Sequence, residues 1–550
     1  MNRLVSRRFV SNITRPIPST STLSFTYQNS LGNVPQTRIT RLANGFTIAT
    51  ESNPNLQTAT VGVWIDAGSR FENKQNNGTA HFVEHMIFKG TKSRSQVELE
   101  TQIESMGGYF NAKTSRDQTA YYAQALAKDV SKTVEVLSDV LLSSNFSKDV
   151  IEKERKVILS EYEELENDKE QVVMDHLHAI AFQGTGLGNR VVGSADNIKS
   201  LQQEDLLSYV KNNYTSERMV LAAAGGVDHD HLVKLAEQHF GSLRPGSARP
   251  KVPKANFTGS DLRARFDNHP TAHIALAVEG VGCSNPDYWP LQVAQTIIGS
   301  WDRSLGAANH VSSQLAQRVT EQPIKSLGYL ANSFTAFNTS YNDTGLFGLY
   351  AISDNFVHLD DLIHHIQREW HRLALNITEV EVFRAKNQLK TSLYLGLDGS
   401  GSVCEDIGRQ VLSFGKRLTP WELDGLIEKV TAADVMRVAG EYIYDREVAV
   451  VGYGPVDGLQ DYNRIRAAMS PTTTLIITVI IKPLSGQSSL STAATHENSS
   501  GLSEKTIALI VIVPIVLVSI IIGSILFARY EKKKKVLKMD LVPTTIVSNV

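Results

Sequence analysis

His81-Phe82-Val83-Glu84-His85 is the stretch of this 550-residue chain with the clearest chemistry. On a helix it sets two imidazoles four residues apart on one face, with a carboxylate beside them. His81 and His85 can then grip one metal ion, while Glu84 reaches toward the same ion and takes the proton of a water molecule held there. The order HxxEH inverts the commoner HExxH arrangement of zinc peptidases. Catalytic zinc takes three protein ligands and keeps one position open, so a carboxylate or imidazole is required from another element. The segment after Phe146 offers one. Ser147 reads as a helix N-cap, and Val150, Glu154, Val157, Ile158, Glu161 and Leu165 recur at helical spacing. Two glutamates therefore lie on an apolar stripe, where a carboxylate needs a cation or good donors. That partner is either a Lys or Arg at the edge of the stripe or the metal that the upstream histidines require.

Four longer stretches extend the pattern: GTAHFVEHMIFKGT (Gly78 to Thr91), NAKTSRDQTAYY (Asn111 to Tyr122), ERKVILSEYEE (Glu154 to Glu164) and VCEDIGRQ (Val403 to Gln410). Together they resemble the pitrilysin-type, inverted-motif metallopeptidases, and within them the branch that removes presequences in mitochondria. The likeness runs from about Thr37 to Met469. It implies one Zn2+ per chain held by His81, His85 and Glu161, the last of these 76 positions after His85. It also implies Glu84 as the catalytic base and Glu154 as the group supporting the site from behind. Taken alone, NAKTS is an ordinary strand start; the resemblance implies that the strand edge at Asn111 and Ala112 receives the substrate as an added strand.

Glu163, Glu164, Glu166, Asp168, Glu170 and Asp175 crowd the segment after the third expected ligand. By composition such a run is a solvated face. The resemblance implies that acids here bind the arginine preceding the cut. Asp175 matches one of the two positions concerned; Gln171 stands at the other, with the nearest glutamate displaced to Glu170. Members of this branch act as heterodimers whose α subunit carries a flexible glycine-rich loop. The comparable stretch here, Ile298 to Asn309, has too few glycines for that loop. The chain is therefore expected to be the catalytic partner, nearly inactive alone and acting on basic presequence peptides. Two rival readings stay open. One is a core subunit of the respiratory cytochrome bc1 complex, which shares the fold and in some lineages combines both roles; core-only members tend to lose the metal triad. The other is a self-sufficient oligopeptidase of the same family, whose members carry a second pair of domains.

The elements that must position these residues follow from the wider pattern. A chain of this length exceeds one core, so two or more domains are expected. A formal net charge of -2 gives no field for nucleic acid. Cys283 and Cys404 are the only cysteines, which excludes a disulfide framework and suits a reducing compartment. Arg3, Arg7, Arg8 and Arg15 stand among Ser and Thr with no acidic residue before Glu51. This reads either as a mitochondrial transit peptide, placed over 1–35, or as a basic tail; the first sends the chain to the mitochondrial matrix.

A peptidase domain is expected over 36–242, a Pro/Gly/basic linker over 243–260, and a homologous domain without metal over 261–470. Val61 to Gly90 aligns loosely with Ile274 to Ser300, putting Leu291, Ala294 and Gln295 opposite His81, Glu84 and His85; Thr339-Ser340 would match Thr114-Ser115. Strand-like runs alternating with helical patterns give an α+β fold class, with two such domains closing as a clamshell implied by the resemblance. Beyond Met469 the composition changes: a Ser/Thr-rich linker (471–505), an uncharged 23-residue run (506–528), then Arg529, Lys532 to Lys535 and a basic tail (529–550). That run has the length of a transmembrane helix, which would anchor the chain at the inner membrane. The alternatives are a buried helix or, since relatives in the family end near Met469, a mispredicted or fused tail.

Overall fold

The computed structural model describes residues 27, 29, 31–246, 254–306, 313–321 and 328–470. Two six-stranded mixed sheets dominate. The first joins β1 (Arg38–Arg41), β2 (Thr47–Ser52), β3 (Thr58–Ile65), β4 (Tyr109–Thr114), β5 (Thr119–Leu126) and β6 (Met219–Gly225) in the order β1-β2-β6-β3-β5-β4. The second joins β7 (Ser260–Arg265), β8 (Ala272–Gly280), β9 (Ser300–Asp302), β10 (Ser333–Ser340), β11 (Gly345–Ser353) and β12 (Ala449–Gly454) in the order β7-β12-β8-β11-β10-β9.

Both sheets contain one parallel pair, β2 with β6 and β7 with β12, followed by an antiparallel run. On that shared plan β3 corresponds to β8, β5 to β11 and β4 to β10. The loose internal alignment thus joins equivalent elements, although β4 ends at Thr114 and β10 at Ser340, one residue off the pairing of Thr114-Ser115 with Thr339-Ser340. Central strands are apolar throughout because both faces are covered: every residue of β6 is buried, and so is every residue of β8 except Glu279. β4, at the edge of its sheet, alternates exposed and half-buried positions.

Four helices matter to the site. α1 (Thr79–Met86) carries the HxxEH residues, α2 (Lys148–Leu165) carries Glu154 and Glu161, α3 (Lys169–Ala181) follows directly, and α4 (Ser400–Phe414) comes from the second half. The last two are exchanged. Val173, Leu177, Ala181 and the following Phe182 pack with Ala275, Ala277 and Val451 of the second sheet. Cys404, Ile407 and Val411 of α4 pack with Ala49, Trp64, Ala222 and Ala224 of the first. Each sheet therefore buries one face against a helix that the other half contributes. The approach is closest at Gly408, where an added Cβ would lie 2.1 Å from Trp64 Cδ2.

One part of the expected fold class is corrected. Two α+β halves are present, but among the described residues no helix is long and apolar enough to cross a membrane. A membrane helix is therefore not part of the fold observed. The segments 471–505, 506–528 and 529–550 lie outside the described residues, as do residues 1–26 of the expected leader and 247–253 of the expected linker.

Because Gly408 has no room to gain a side chain over a buried indole, Gly408→Val is expected to cost roughly 1–3 kcal/mol of stability. A urea titration that left the unfolding midpoint unchanged would show that α4 can lift from the first sheet without loss.

Candidate functional site

α1 is short, and its start is unusual. The residue before it, Gly78, has φ 105° and no side chain with which to cap the helix. Glu72 performs that task from six residues upstream: its carboxylate accepts from Gly78 N (2.9 Å), Ala80 N (2.6 Å) and Asn77 Nδ2 (2.8 Å). Burial pushes the Glu72 carboxyl up to about 8, although all three donors pull the other way. Ser147 stands at the N-cap of α2 as its type suggests, but its side chain makes no capping hydrogen bond.

His81 and His85 lie one turn apart on α1, with ring centroids 4.7 Å from each other. α2 brings Glu161 to both. One carboxylate oxygen is 3.4 Å from His81 Nε2 and the other is 3.0 Å from His85 Nε2. Single donor atoms from His81, His85 and Glu161 all lie within 4.8 Å of one another, the only such group of three among the described residues. The histidines face the protein, while the Glu161 side chain is 36% exposed, so the cluster opens on one side. Hydrogen bonds to the His81 and His85 imidazoles hold the Glu161 carboxyl well below the usual range, against its partial burial. Burial alone would lower His85, yet the adjacent Glu161 carboxylate raises it. Two imidazole nitrogens and a carboxylate oxygen, ligand types that suit borderline cations, lie close enough to one another to fit a divalent metal of the zinc kind.

Glu154 is buried behind the cluster, with one oxygen 2.8 Å from Lys89 Nζ and the other 3.6 Å from His85 Nδ1. The two glutamates of the apolar stripe thus differ: Glu154 is paired with Lys89, and Glu161 faces the two imidazoles. Arg155 locks this helix in place. Its buried guanidinium donates to the carbonyls of Ile198 and Leu201 and lies 5.6 Å from the centre of the Phe82 ring on α1. Glu84 is half-buried on α1. Its charge adds to the burial that raises the Tyr121 and Tyr214 phenols, whose oxygens are 2.8 Å apart.

Asn111 is exposed and Ala112 half-buried on β4, which pairs with β5 on one side and with no other described strand. The acidic segment divides. Asp175 is buried and already holds Arg116 (2.7 Å) and Arg190 (3.1 Å), with Gln171 Nε2 at 3.4 Å. Glu166 pairs with Arg190, and Asp168 caps α3 through Gln171 N. Glu163, Glu164 and Glu170 are exposed and carry no ion pair among the described residues. Sequence reasoning missed Glu72, Lys89 and Arg155. Lys89 lies four residues after His85, a helical spacing that could have pointed to it; Glu72 and Arg155 act through backbone groups that no spacing reveals.

The chain is similar to known proteins over most of its length. The profile described as "Insulinase (Peptidase family M16)" matches residues 47–195, and "Peptidase M16 inactive domain" matches 200–389. The half matched as inactive has Leu291, Ala294 and Gln295 where the loose alignment places the metal motif. A protein of Blastocladiella emersonii named mitochondrial-processing peptidase subunit beta is 56% identical over 447 residues, covering 81% of this chain and 95% of that protein. The proteins of the same name from Bos taurus and Homo sapiens are 50% and 49% identical, each covering 80% of this chain and 88% of its own length. A solved structure of complex III2 from Candida albicans superposes with a TM-score of 0.70 at 30% identity, covering 79% of this chain and 99% of the matched one. Identity of this order over nearly the whole length of such relatives makes the chain a member of the insulinase family of peptidases, family M16.

Proposed function

We propose that this chain is the zinc-dependent catalytic subunit of a heterodimeric peptidase that removes basic presequences from proteins imported into mitochondria. The single observation carrying this reading is the convergence of His81, His85 and Glu161 from two helices; the relatives named mitochondrial-processing peptidase subunit beta support its direction. His81, His85 and Glu161 would hold one Zn2+. When bound, zinc polarises the scissile carbonyl and makes water acidic enough to be deprotonated near neutral pH. Glu84 takes that proton and returns it to the departing amine. Glu154, held by Lys89, orients His85 through its Nδ1, a role that protects ligand geometry. The free edge of β4 at Asn111 and Ala112 pairs with the substrate backbone, which fixes register with little regard for side chains.

Charge then selects the substrate. Because Asp175 already holds two guanidinium groups, an arginine preceding the cut meets exposed Glu170 first and must compete with Arg116 and Arg190 for Asp175. The halves are assigned as a peptidase domain over 36–242 and a metal-free domain over 261–470, with a leader over 1–35 and the mitochondrial matrix as the site of action. An α subunit is the proposed partner. A second reading, a core subunit of the respiratory cytochrome bc1 complex, is favoured by the likeness to complex III2 of Candida albicans; the two roles are compatible in one chain.

Co-expression with an α subunit, followed by metal analysis and presequence cleavage, tests the whole reading. The wild-type heterodimer should contain one zinc and cleave, and a zinc-free active complex would refute it. Glu84→Gln is expected to lower kcat by about 10²–10⁴-fold with zinc content unchanged, whereas His81→Ala or Glu161→Ala should lose zinc as well. Substrates with Arg two residues before the bond should be cleaved faster than Ala counterparts; equal rates would remove Glu170 and Asp175 from recognition.

A further inference from the structure

The first turn of a helix leaves backbone N–H groups without partners, and in α1 those groups stand directly before His81. A serine or aspartate at the N-cap would satisfy them cheaply. Gly78 cannot, and its φ of 105° disfavours any replacement that could. Glu72 fills the gap with a carboxylate that is 7% exposed and has no cation against it among the described residues. All three of its partners are donors, so each bond uses a Glu72 oxygen as acceptor.

The turn between Glu72 and α1 is held from the far side as well. Asn77 Nδ2 donates a second bond to the Arg190 carbonyl (2.8 Å), and the Asn77 carbonyl accepts from Asn197 Nδ2 (3.0 Å). Gly193 presses on the same turn, where an added Cβ would be 2.5 Å from Asn77 O. Asn197 lies within a short helix, Ala195–Ser200, and the carbonyls of Ile198 in that helix and of Leu201 just after it accept from Arg155, which neighbours Glu154 in sequence. Glu72 is therefore one end of a continuous set of polar contacts that runs from the start of the HxxEH helix to the helix bearing Glu161. A helix of eight residues has too few internal bonds to fix its own position, so its buried face, with Phe82, Val83 and Met86 in the core, and the contacts at its ends together decide where its side chains point.

We propose that Glu72 is a positioning residue of the metal centre, its carboxylate setting the first turn of α1 so that His81 and His85 face Glu161. This rests on the metal site proposed above. A group that merely stabilised the fold would change unfolding alone; Glu72 changes the aim of two ligands. Replacing it by glutamine keeps the volume but turns an NH2 group onto donors, which displaces the turn.

The test uses the heterodimer with wild type, Glu72→Gln and Glu72→Asp, measuring zinc affinity by chelator competition, kcat and KM on a presequence peptide, and thermal unfolding. Glu72→Gln is expected to bind zinc about 10–100-fold more weakly and to lower kcat with KM little changed. Glu72→Asp, which keeps an acceptor carboxylate on a shorter arm, should fall between. If Glu72→Gln fails to fold, the aspartate variant decides alone. Wild-type zinc affinity and kcat in the folded variants, with only the unfolding temperature lowered, would overturn the positioning role. A wild-type complex that bound no zinc would instead sink the metal site itself.

Discussion

The contact between the Glu161 carboxylate and two imidazoles on another helix is the constraint around which the first half of this protein is arranged. A carboxylate and two histidines cannot be drawn together for nothing. Each loses solvent, and the loss is offset only when protons or a cation lie between them. Holding such a cluster needs two helices fixed to within a fraction of an ångström. Neither helix achieves this by its own hydrogen bonds. α1 is fixed by Glu72 at its start and by Phe82 against Arg155; α2 is fixed by Arg155 on the carbonyls of Ile198 and Leu201 and by the Glu154 to Lys89 pair. Charged groups without a direct part in chemistry thus set the distances on which chemistry depends.

The second half contributes without any ligand of its own. Glu161 lies in the last turns of α2, and the chain passes within a few residues into α3, whose apolar face is buried against β8 and β12 of the second sheet. The position of Glu161 is thereby tied to the second sheet. In return α4 closes the exposed face of the first sheet over Trp64. Each sheet is thus covered in part by a helix that the other half contributes. Family M16, with its paired active and inactive domains, has the same division in its profiles.

The acidic segment shows how differently a run of like charges can be used. Composition makes Glu163 to Asp175 a uniform face, yet folding separates it into a helix cap at Asp168, a buried double ion pair at Asp175, a surface pair at Glu166 and exposed carboxylates at Glu163, Glu164 and Glu170. The difference comes from Arg116, in the turn between β4 and β5, 59 residues before Asp175, and from Arg190, in a loop 15 residues after it.

What the sequence by itself determined is local or periodic. Spacing of four residues is enough to place His81 and His85 on one face, because helical geometry is the same in any fold. The apolar stripe of α2 likewise identified Glu154 and Glu161 as carboxylates in need of partners, and strand patterns showed an α+β fold. Length and flanking charge describe the 23-residue uncharged run, 506–528, as a membrane helix; among the described residues no helix is long and apolar enough to cross a membrane, and the run itself lies outside them. Only the tertiary structure decided which partner each glutamate received, that α3 and α4 would be exchanged between halves, and that Asp175 would be occupied by two arginines. It alone disclosed Glu72, since a cap supplied through backbone N–H groups leaves no mark on residue type or spacing. A contact of that kind depends on how the chain between Glu72 and Ala80 is turned, and residue order does not encode that turn in any periodic form.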